Sequence, residues 1–147
     1  MSDAWAASRT MARHMLRHGA GERAGPDALA EAAERAAMRL RARLAGLIGS
    51  TGYTILMARA VRMARAEAPA LDRITVDAGA EGVLHGVREF AWEAGSPRET
   101  EAGLTAILGN VIGLLVSLIG EDLAIRLIRE AAHASDMISP SYAAWLY

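Results

Sequence analysis

The longest uncharged segment of the chain constrains its fold more than any other feature. No residue from Ala102 to Gly120 carries a charge, and this length is enough for a helix to cross a bilayer. A helix that is apolar on nearly every side must be covered on every side, so the segment predicts either a membrane span or the centre of a helical core. Its large apolar residues recur at helical spacing: Leu104, Ile107, Leu108, Val111, Leu114, Leu115 and Leu118.

The residues just before this segment predict where its helix begins. Ser96, Pro97 and Glu99 combine an N-cap serine, a proline at the first helical position and a glutamate three residues after the cap. Gly120 is a residue that can end or kink the helix. The sequence therefore predicts a long, nearly uncharged central helix over about 97–119. It leaves open whether this helix continues to about residue 133 or is followed by a separate one.

The flanks of the segment favour a protein core over a membrane. Asn110 and four glycines lower its hydrophobicity. Acidic residues, Glu101 and Glu121 among them, flank both ends, and no basic cluster is present to set an orientation in a membrane. The other helical segments are amphipathic and need a core of their own. We therefore expect a buried central helix and no association with a membrane.

The sequence as a whole predicts an all-α helical bundle of five or six helices. Helical periodicity runs through the chain and is interrupted by glycines and prolines. Ile74, Thr75 and Val76 favour an extended backbone, but no neighbouring segment offers a partner strand, so residues 70–79 are predicted to form a loop. Besides the central helix, the predicted helices cover about 2–18, 26–49, 51–68, 80–94 and 121–134.

A glycine-rich linker near the N-terminus divides the chain. Gly19, Gly21 and Gly25 fall within seven residues. We therefore expect residues 1–25 to form a mobile N-terminal helical arm with its linker, and residues 26–147 to form one helical-bundle domain. The apolar tail around Trp145 is predicted to dock on this domain as a short clip.

Composition excludes several kinds of chemistry. The chain has no cysteine, which excludes disulfides, thiolate zinc sites and cysteine nucleophiles. All sixteen basic residues are arginine, which together with the abundant alanine is typical of a GC-rich bacterial genome. The first residues lack the basic start and apolar stretch of a signal peptide, so the expected location is the cytoplasm.

Charge is unevenly distributed along the chain, although the formal net charge is only −1. Residues 1–66 hold eleven arginines and five acids, whereas residues 67–147 hold five arginines and twelve acids. Such asymmetry can indicate a nucleic-acid partner. Because the total is near neutral, we favour packing of one half against the other, within one chain or between subunits.

Small residues on the central helix form the first candidate binding site. Thr105, Gly109, Gly113 and Ser117 recur every four residues and so lie on one face, where another helix can approach closely. The alanine-rich helices around it offer few large side chains as cover. We therefore expect a second copy of the chain to pack against this face, at a two-fold axis. The alternative is that the second or third helix of the same chain packs there.

A row of arginines is a candidate anion-binding site. Arg35, Arg39 and Arg43 are spaced by four residues on the helix predicted over 26–49. Such a row can bind phosphate or nucleic acid. Acids in the same helix and a pI of about 6.4 argue against nucleic-acid binding. The alternatives are a solvated face or a surface that meets the acidic half of a neighbour.

Two histidines are a candidate metal-binding pair. His14 and His18 lie four residues apart, so both imidazoles project from one face of the first predicted helix. A complete site needs further ligands, and only Asp3 and Glu22 are nearby in the sequence. Two histidines on an exposed arm are more often solvated. The sequence predicts no cofactor.

No catalytic motif appears in the sequence. Serine–histidine–aspartate arrangements, phosphate-binding glycine loops and dinucleotide fingerprints are all missing. The leading prediction is therefore a non-enzymatic helical bundle that forms homo-oligomers and acts as an interaction or regulatory module, with itself or another protein as partner. One alternative is a small-molecule sensor, and another is a nucleic-acid binder that uses the arginine row. The residues predicted to line a sensor pocket are Met57, Met63, Phe90, Trp92 and Trp145.

Overall fold

The computed structural model describes residues 3–21, 25–77 and 84–133. These residues confirm the predicted all-α bundle with a long central helix. Within these residues the number of α-helices is five, or six if the interruption within the second helix is counted as a break. The α-helices are α1 (Asp3–Ala20), α2 (Pro26–Glu67), α3 (Val87–Ala94), α4 (Pro97–Ile119) and α5 (Glu121–His133).

Helix α2 combines two predicted helices. The sequence predicts separate helices over 26–49 and 51–68, and the structure joins them into one element that is interrupted at Gly49. Gly49 has φ 81° and ψ 162°, a conformation that an L-residue with a side chain rarely adopts. The chain leaves α2 at Ala68, directly before Pro69, as the restriction on residues preceding proline predicts.

The segment after α2 differs from the prediction. Residues 69–73 form a short 3-10 helix, and β1 (Thr75–Val76) pairs antiparallel with β2 (Leu84–His85). The expectation of a loop without a partner strand is therefore wrong. The predicted helix over 80–94 also begins later, at Val87, because its first residues include β2.

Gly86 explains why α3 begins so late. Its φ is 85°, and a Cβ at this position would lie 1.9 Å from the carbonyl oxygen of Arg73. Only glycine allows the backbone to pass so close to the end of the 3-10 helix. The apolar residues before and after Gly86 keep a helical spacing, so the sequence pattern gives no sign of this break.

The central helix α4 begins and ends where the sequence predicts. The Ser96 hydroxyl accepts a hydrogen bond from the Glu99 N–H at 3.2 Å, which is the predicted capping arrangement. Gly120 has φ 90° and separates α4 from α5, so the pattern over 97–133 is two helices. Every residue from 103 to 113 is buried.

Helix α1 packs on the bundle along α4 and α2. Ala12, Met15 and Leu16 are buried in this contact and belong to the main core. Trp5 lies against Gly113 and Arg9 against Gly109, so α1 runs antiparallel to α4. The predicted tail around Trp145 lies outside the described residues.

Two helices, α2 and α4, are long and apolar enough to cross a membrane by length and composition alone. In α4, 67% of the most apolar window is buried inside the chain, as expected for a core helix. In α2 the corresponding share is 33%, so more of this apolar surface faces outward. The difference directs attention to the exposed side of α2.

Candidate functional site

The glycine face of α4 is occupied by α1 of the same chain. A Cβ on Gly109 would lie 2.9 Å from Arg9 Cγ and 3.2 Å from Arg9 Cα, and a Cβ on Gly113 would lie 2.4 Å from the Trp5 ring. The two glycines therefore allow the close helix approach that the sequence predicts. The helix that makes it is α1, which the sequence analysis did not consider as a partner. A second copy can reach these glycines only if α1 leaves them.

The other two members of the predicted face have different surroundings. Thr105 is buried, and among the described residues its Oγ1 has no hydrogen-bond partner. Ser117 is exposed and lines a cleft near the end of α4. The four residues thus share one side of the helix, but only the last is open to a partner from outside the chain.

Ion pairs attach α1 to the acidic half of the chain. Glu101 accepts hydrogen bonds from Nε and Nη2 of Arg17, each at 2.9 Å, and Arg13 lies 3.5 Å from the same carboxylate. Two turns nearer the start of α1, Nη2 of Arg9 lies 2.5 Å from Oε2 of Glu67 on α2. Arginines of the basic half therefore pair with glutamates of the acidic half within one chain, which is one of the two arrangements that the sequence analysis favours.

These contacts shift the ionisation of their members. The hydrogen bond from Arg17 lowers the pKa of Glu101 below its ordinary value, with burial opposing the shift and the Arg17 charge adding to it. The same hydrogen bond raises the pKa of Arg17. Both charged forms are thereby favoured while α1 is docked.

An apolar cleft of about 490 Å³ opens at the end of the bundle near Gly49 and Gly120. Ile55 of α2 and Leu118 of α4 both line it and are 64% and 62% exposed. We call the apolar lining of this cleft the end patch: Trp5 from α1, Ile48, Ile55, Leu56 and Met63 from α2, and Leu114 and Leu118 from α4. Leu47, next to Ile48, is also 49% exposed.

One charged residue, Arg59, lies in the lining of the cleft that holds the end patch. Glu121 and Asp122 begin α5, and Glu121 lines a separate, smaller cleft with Ala7 and Val116. All three are exposed, and none forms an ion pair with another residue in the described part of the chain.

A second cleft, of about 590 Å³, lies near the N-terminal end of α4. Alanine is the most frequent residue in its lining, Phe90 is the one aromatic side chain there, and the ion-paired Arg9 and Glu67 also line it. Glu93 also lines it and pairs with Arg73 at 2.7 Å. The volume falls in the range typical of small-molecule pockets.

The residues predicted to line a sensor pocket do not share one cavity. Phe90 lines the larger cleft and Met63 lines the smaller one, whereas Met57 is buried in the core. Trp92 is exposed on α3, beside the start of α2. Trp145 lies outside the described residues.

The arginine row on α2 is partly used within the chain. Arg35 pairs with Glu31 at 2.9 Å and donates from Nη2 to the carbonyl oxygen of Gly19 at 2.6 Å. This second contact satisfies one of the carbonyl groups at the C-terminal end of α1. Arg39 is half-buried and Arg43 is exposed. Arg35 therefore fixes the end of α1, and the row is not a uniform set of solvated cations.

The histidine pair lies on α1 as the spacing predicts. His14 is exposed and His18 is half-exposed. Within residues 3–21, 25–77 and 84–133, no group of three or more histidine, aspartate or glutamate side chains could hold a metal ion. A metal at His14 and His18 thus requires ligands from outside the described residues.

The end patch is the candidate site that sequence reasoning missed. Leu118 continues the apolar pattern of the central helix, and nothing in that pattern marks it as uncovered. Ile55 lies off the apolar face that Tyr53, Met57 and Ala60 form by helical spacing, so its exposure was predictable. The available signal is the small number of large apolar side chains in the other helices, which predicts that part of α4 lacks cover.

Comparisons of this chain with family models, curated proteins and solved structures find nothing that matches it.

Proposed function

We propose that this chain is an interaction module that self-associates through the end patch. The observation that carries the proposal is the exposure of Ile55 and Leu118, from two different helices, in the lining of one apolar cleft. Contiguous apolar surface of this kind is typical of interfaces, whereas isolated exposed apolar residues are common on any protein. The glycine face of α4, the surface first expected to bind a second copy, is already covered by α1.

Burial of the end patch supplies a driving force for association. Each square ångström of apolar surface removed from water contributes roughly 25 cal/mol, and the exposed side chains of Ile55 and Leu118 offer such surface. Ser117 and Arg59 are the polar residues in the cleft lining. An apolar centre with polar residues beside it is the usual arrangement of a protein–protein interface.

The test is sedimentation velocity over a range of protein concentrations. Wild-type protein is expected to form dimers or larger oligomers. Ile55→Arg and Leu118→Arg each place a charge at the centre of the contact, and each is expected to weaken association at least about tenfold. Met38→Arg is the matched control, because Met38 is 66% exposed on α2 but lies outside the cleft lining. The control should associate like wild type.

A membrane surface is the competing occupant of the end patch. In that case the wild-type protein would be monomeric in solution and would float with phosphatidylcholine vesicles, and Leu118→Arg would abolish flotation. Wild-type monomers at high concentration, with or without flotation, contradict self-association. Association that survives both arginine substitutions contradicts the proposed surface.

A second candidate function is small-molecule binding in the larger cleft. The observation that favours it is a volume of about 590 Å³ with an apolar wall and ion-paired glutamates in the lining. Thermal-shift screening of small apolar amines against wild type and Ala106→Phe would test it. Stabilisation of wild type but not of the filled-cleft variant supports the function, and no stabilisation of either by any compound contradicts it.

A further inference from the structure

The cleft that holds the end patch contains one cation among apolar side chains. The side chains that line it are apolar except for those of Ser117 and Arg59. Arg59 is exposed and forms no ion pair or hydrogen bond with another residue in the part of the chain that the structure describes. Its guanidinium can therefore bind an anion from outside the chain.

The size and lining of this cleft suit a small molecule with an apolar chain. Its volume of about 490 Å³ falls in the range typical of ligand pockets. Ile55 and Leu118 are more than half exposed, so an alkyl chain that lies against them removes apolar surface of both the protein and the ligand from water. The cleft therefore matches a ligand that combines an apolar chain with one negative charge.

The larger cleft has the opposite balance of charge. Its lining contains a single arginine, Arg9, and three glutamates: Glu67, Glu93 and Glu99. A ligand carboxylate in that cleft would meet an excess of like charge, which is unfavourable. An anionic ligand with an apolar chain is thus expected to prefer the end patch.

We propose that the end patch binds a single-chain carboxylic acid of the fatty-acid class, with its carboxylate on Arg59 and its chain over Ile55 and Leu118. A guanidinium suits this role because it stays charged at all relevant pH values and presents paired N–H donors to the two oxygens of a carboxylate. The apolar lining supplies the affinity, and Arg59 selects the head group.

A bound acid and a second copy of the chain compete for the same surface. Ile55 and Leu118 carry the proposed self-association, and the same apolar surface can be removed from water only once. A ligand that binds the monomer in place of the second copy shifts the equilibrium towards monomers by mass action. This competition rests on the proposed function, whereas the binding of the acid does not.

The experiment is calorimetric titration of the full chain with decanoate, kept below its micelle concentration. Wild-type protein is expected to bind one decanoate per chain. Arg59→Gln should lower the affinity for decanoate about fivefold, which is the effect of losing one ion pair at an exposed position. The same variant should bind decyltrimethylammonium, which has the same chain and the opposite charge, no more weakly than wild type does.

Two further variants serve as controls. Arg62→Gln changes the net charge equally at an exposed position of α2, but Arg62 lies outside the cleft lining, so this variant should bind decanoate like wild type. Ser117→Phe places an aromatic ring in the cleft from an exposed position and should abolish decanoate binding. Thermal unfolding verifies that all three variants are folded, and sedimentation velocity with and without decanoate measures the competition.

The outcomes separate the inference from the proposed function. One decanoate per chain, weaker binding in Arg59→Gln and loss of dimers at saturating decanoate support the inference. Equal affinity of wild type and Arg59→Gln for decanoate, or binding that survives Ser117→Phe, overturns the acid site, and dimers that persist at saturation overturn the competition. A wild-type protein that is monomeric without decanoate but binds it through Arg59 contradicts self-association and supports the acid site.

Discussion

The two parts of α4 have the same apolar character but different surroundings. Every residue from 103 to 113 is buried beneath α1, α2 and α3. From Leu114 to Ile119 only Leu115 is fully buried, and Leu118 is 62% exposed. The covered part has α1 on its glycine face, whereas Ser117 and Leu118 in the open part line a cleft. Cover therefore depends on which helices pack against each part rather than on the composition of α4.

The same comparison applies to the charged residues near the two parts. Beside the covered part, Glu101 is held by Arg17 and Arg13 of the same chain. Beside the open part, Arg59 lines the cleft and forms no ion pair with another described residue. Charges that are paired within a chain stabilise its fold, and charges left beside an apolar patch can select a partner.

Loss of the same side chain should have very different consequences in the two parts. Leu108→Ala is expected to lower the free energy of unfolding by about 3 kcal/mol, since Leu108 is buried and its truncation leaves a cavity. Leu118→Ala should cost less than about 0.5 kcal/mol in the monomer, because its side chain is mostly exposed. Urea unfolding at low protein concentration measures both. Equal losses would contradict the comparison.

Replacing a glycine of the covered part of α4 with a larger residue should weaken the packing of α1 against it. Gly109→Leu brings a side chain against the Arg9 backbone, and we expect a loss of about 2 kcal/mol with faster amide exchange in α1. Gly46→Leu is the control, since a Cβ on Gly46 meets nothing within 4 Å. Hydrogen exchange read by mass spectrometry locates the change. Unaltered exchange in α1 of Gly109→Leu would argue against the close approach.

Removing a hydroxyl from the covered part should stabilise it. Thr105 is buried and its Oγ1 has no hydrogen-bond partner among the described residues. Thr105→Val keeps the shape and removes the unpaired polar group, so the free energy of unfolding is expected to rise by about 1 kcal/mol. Thr51→Val, at an exposed position of α2, should change it little. A loss of stability in Thr105→Val would indicate that the hydroxyl has a partner.

Acid should weaken the contact between α1 and α4 modestly. The pKa of Glu101 is lowered in the folded chain by its hydrogen bond with Arg17. Its contribution is therefore present above the ordinary glutamate pKa and is lost as the pH falls through the folded-state value. Glu101→Gln should cost about 0.5 kcal/mol near neutral pH, given the exposure of Arg17, and the cost should vanish in acid. Urea unfolding at both pH values measures this difference. A cost that is independent of pH would contradict the ion-pair explanation.

Local features of the fold could be predicted from the sequence. The Ser96 cap is defined by residues within one turn of each other, and the breaks at Gly49 and Gly120 follow from the conformational freedom of glycine. The close approach at Gly109 was also predictable, because small residues spaced by four imply it. In each case the physical cause lies within a few residues of its effect.

Features that depend on distant residues could not be predicted. The pairing of β1 with β2 joins segments too short for a strand pattern, and only the backbone at Gly86 reveals it. The packing of α1 over Gly109 joins residues about a hundred positions apart in the sequence. The exposure of Leu118 depends on which helices pack against the C-terminal part of α4. None of these is encoded in the periodicity of one segment.

Cross-linking through a single introduced cysteine tests the central claim most directly, that the open part of α4 is covered by a second copy. The natural chain has no cysteine, so the variants Leu118→Cys and Met38→Cys each carry one thiol. A short bismaleimide at low protein concentration should join Leu118→Cys into covalent dimers and leave Met38→Cys monomeric. Equal cross-linking of the two variants, or none at position 118 at concentrations where wild type sediments as a dimer, would contradict the account.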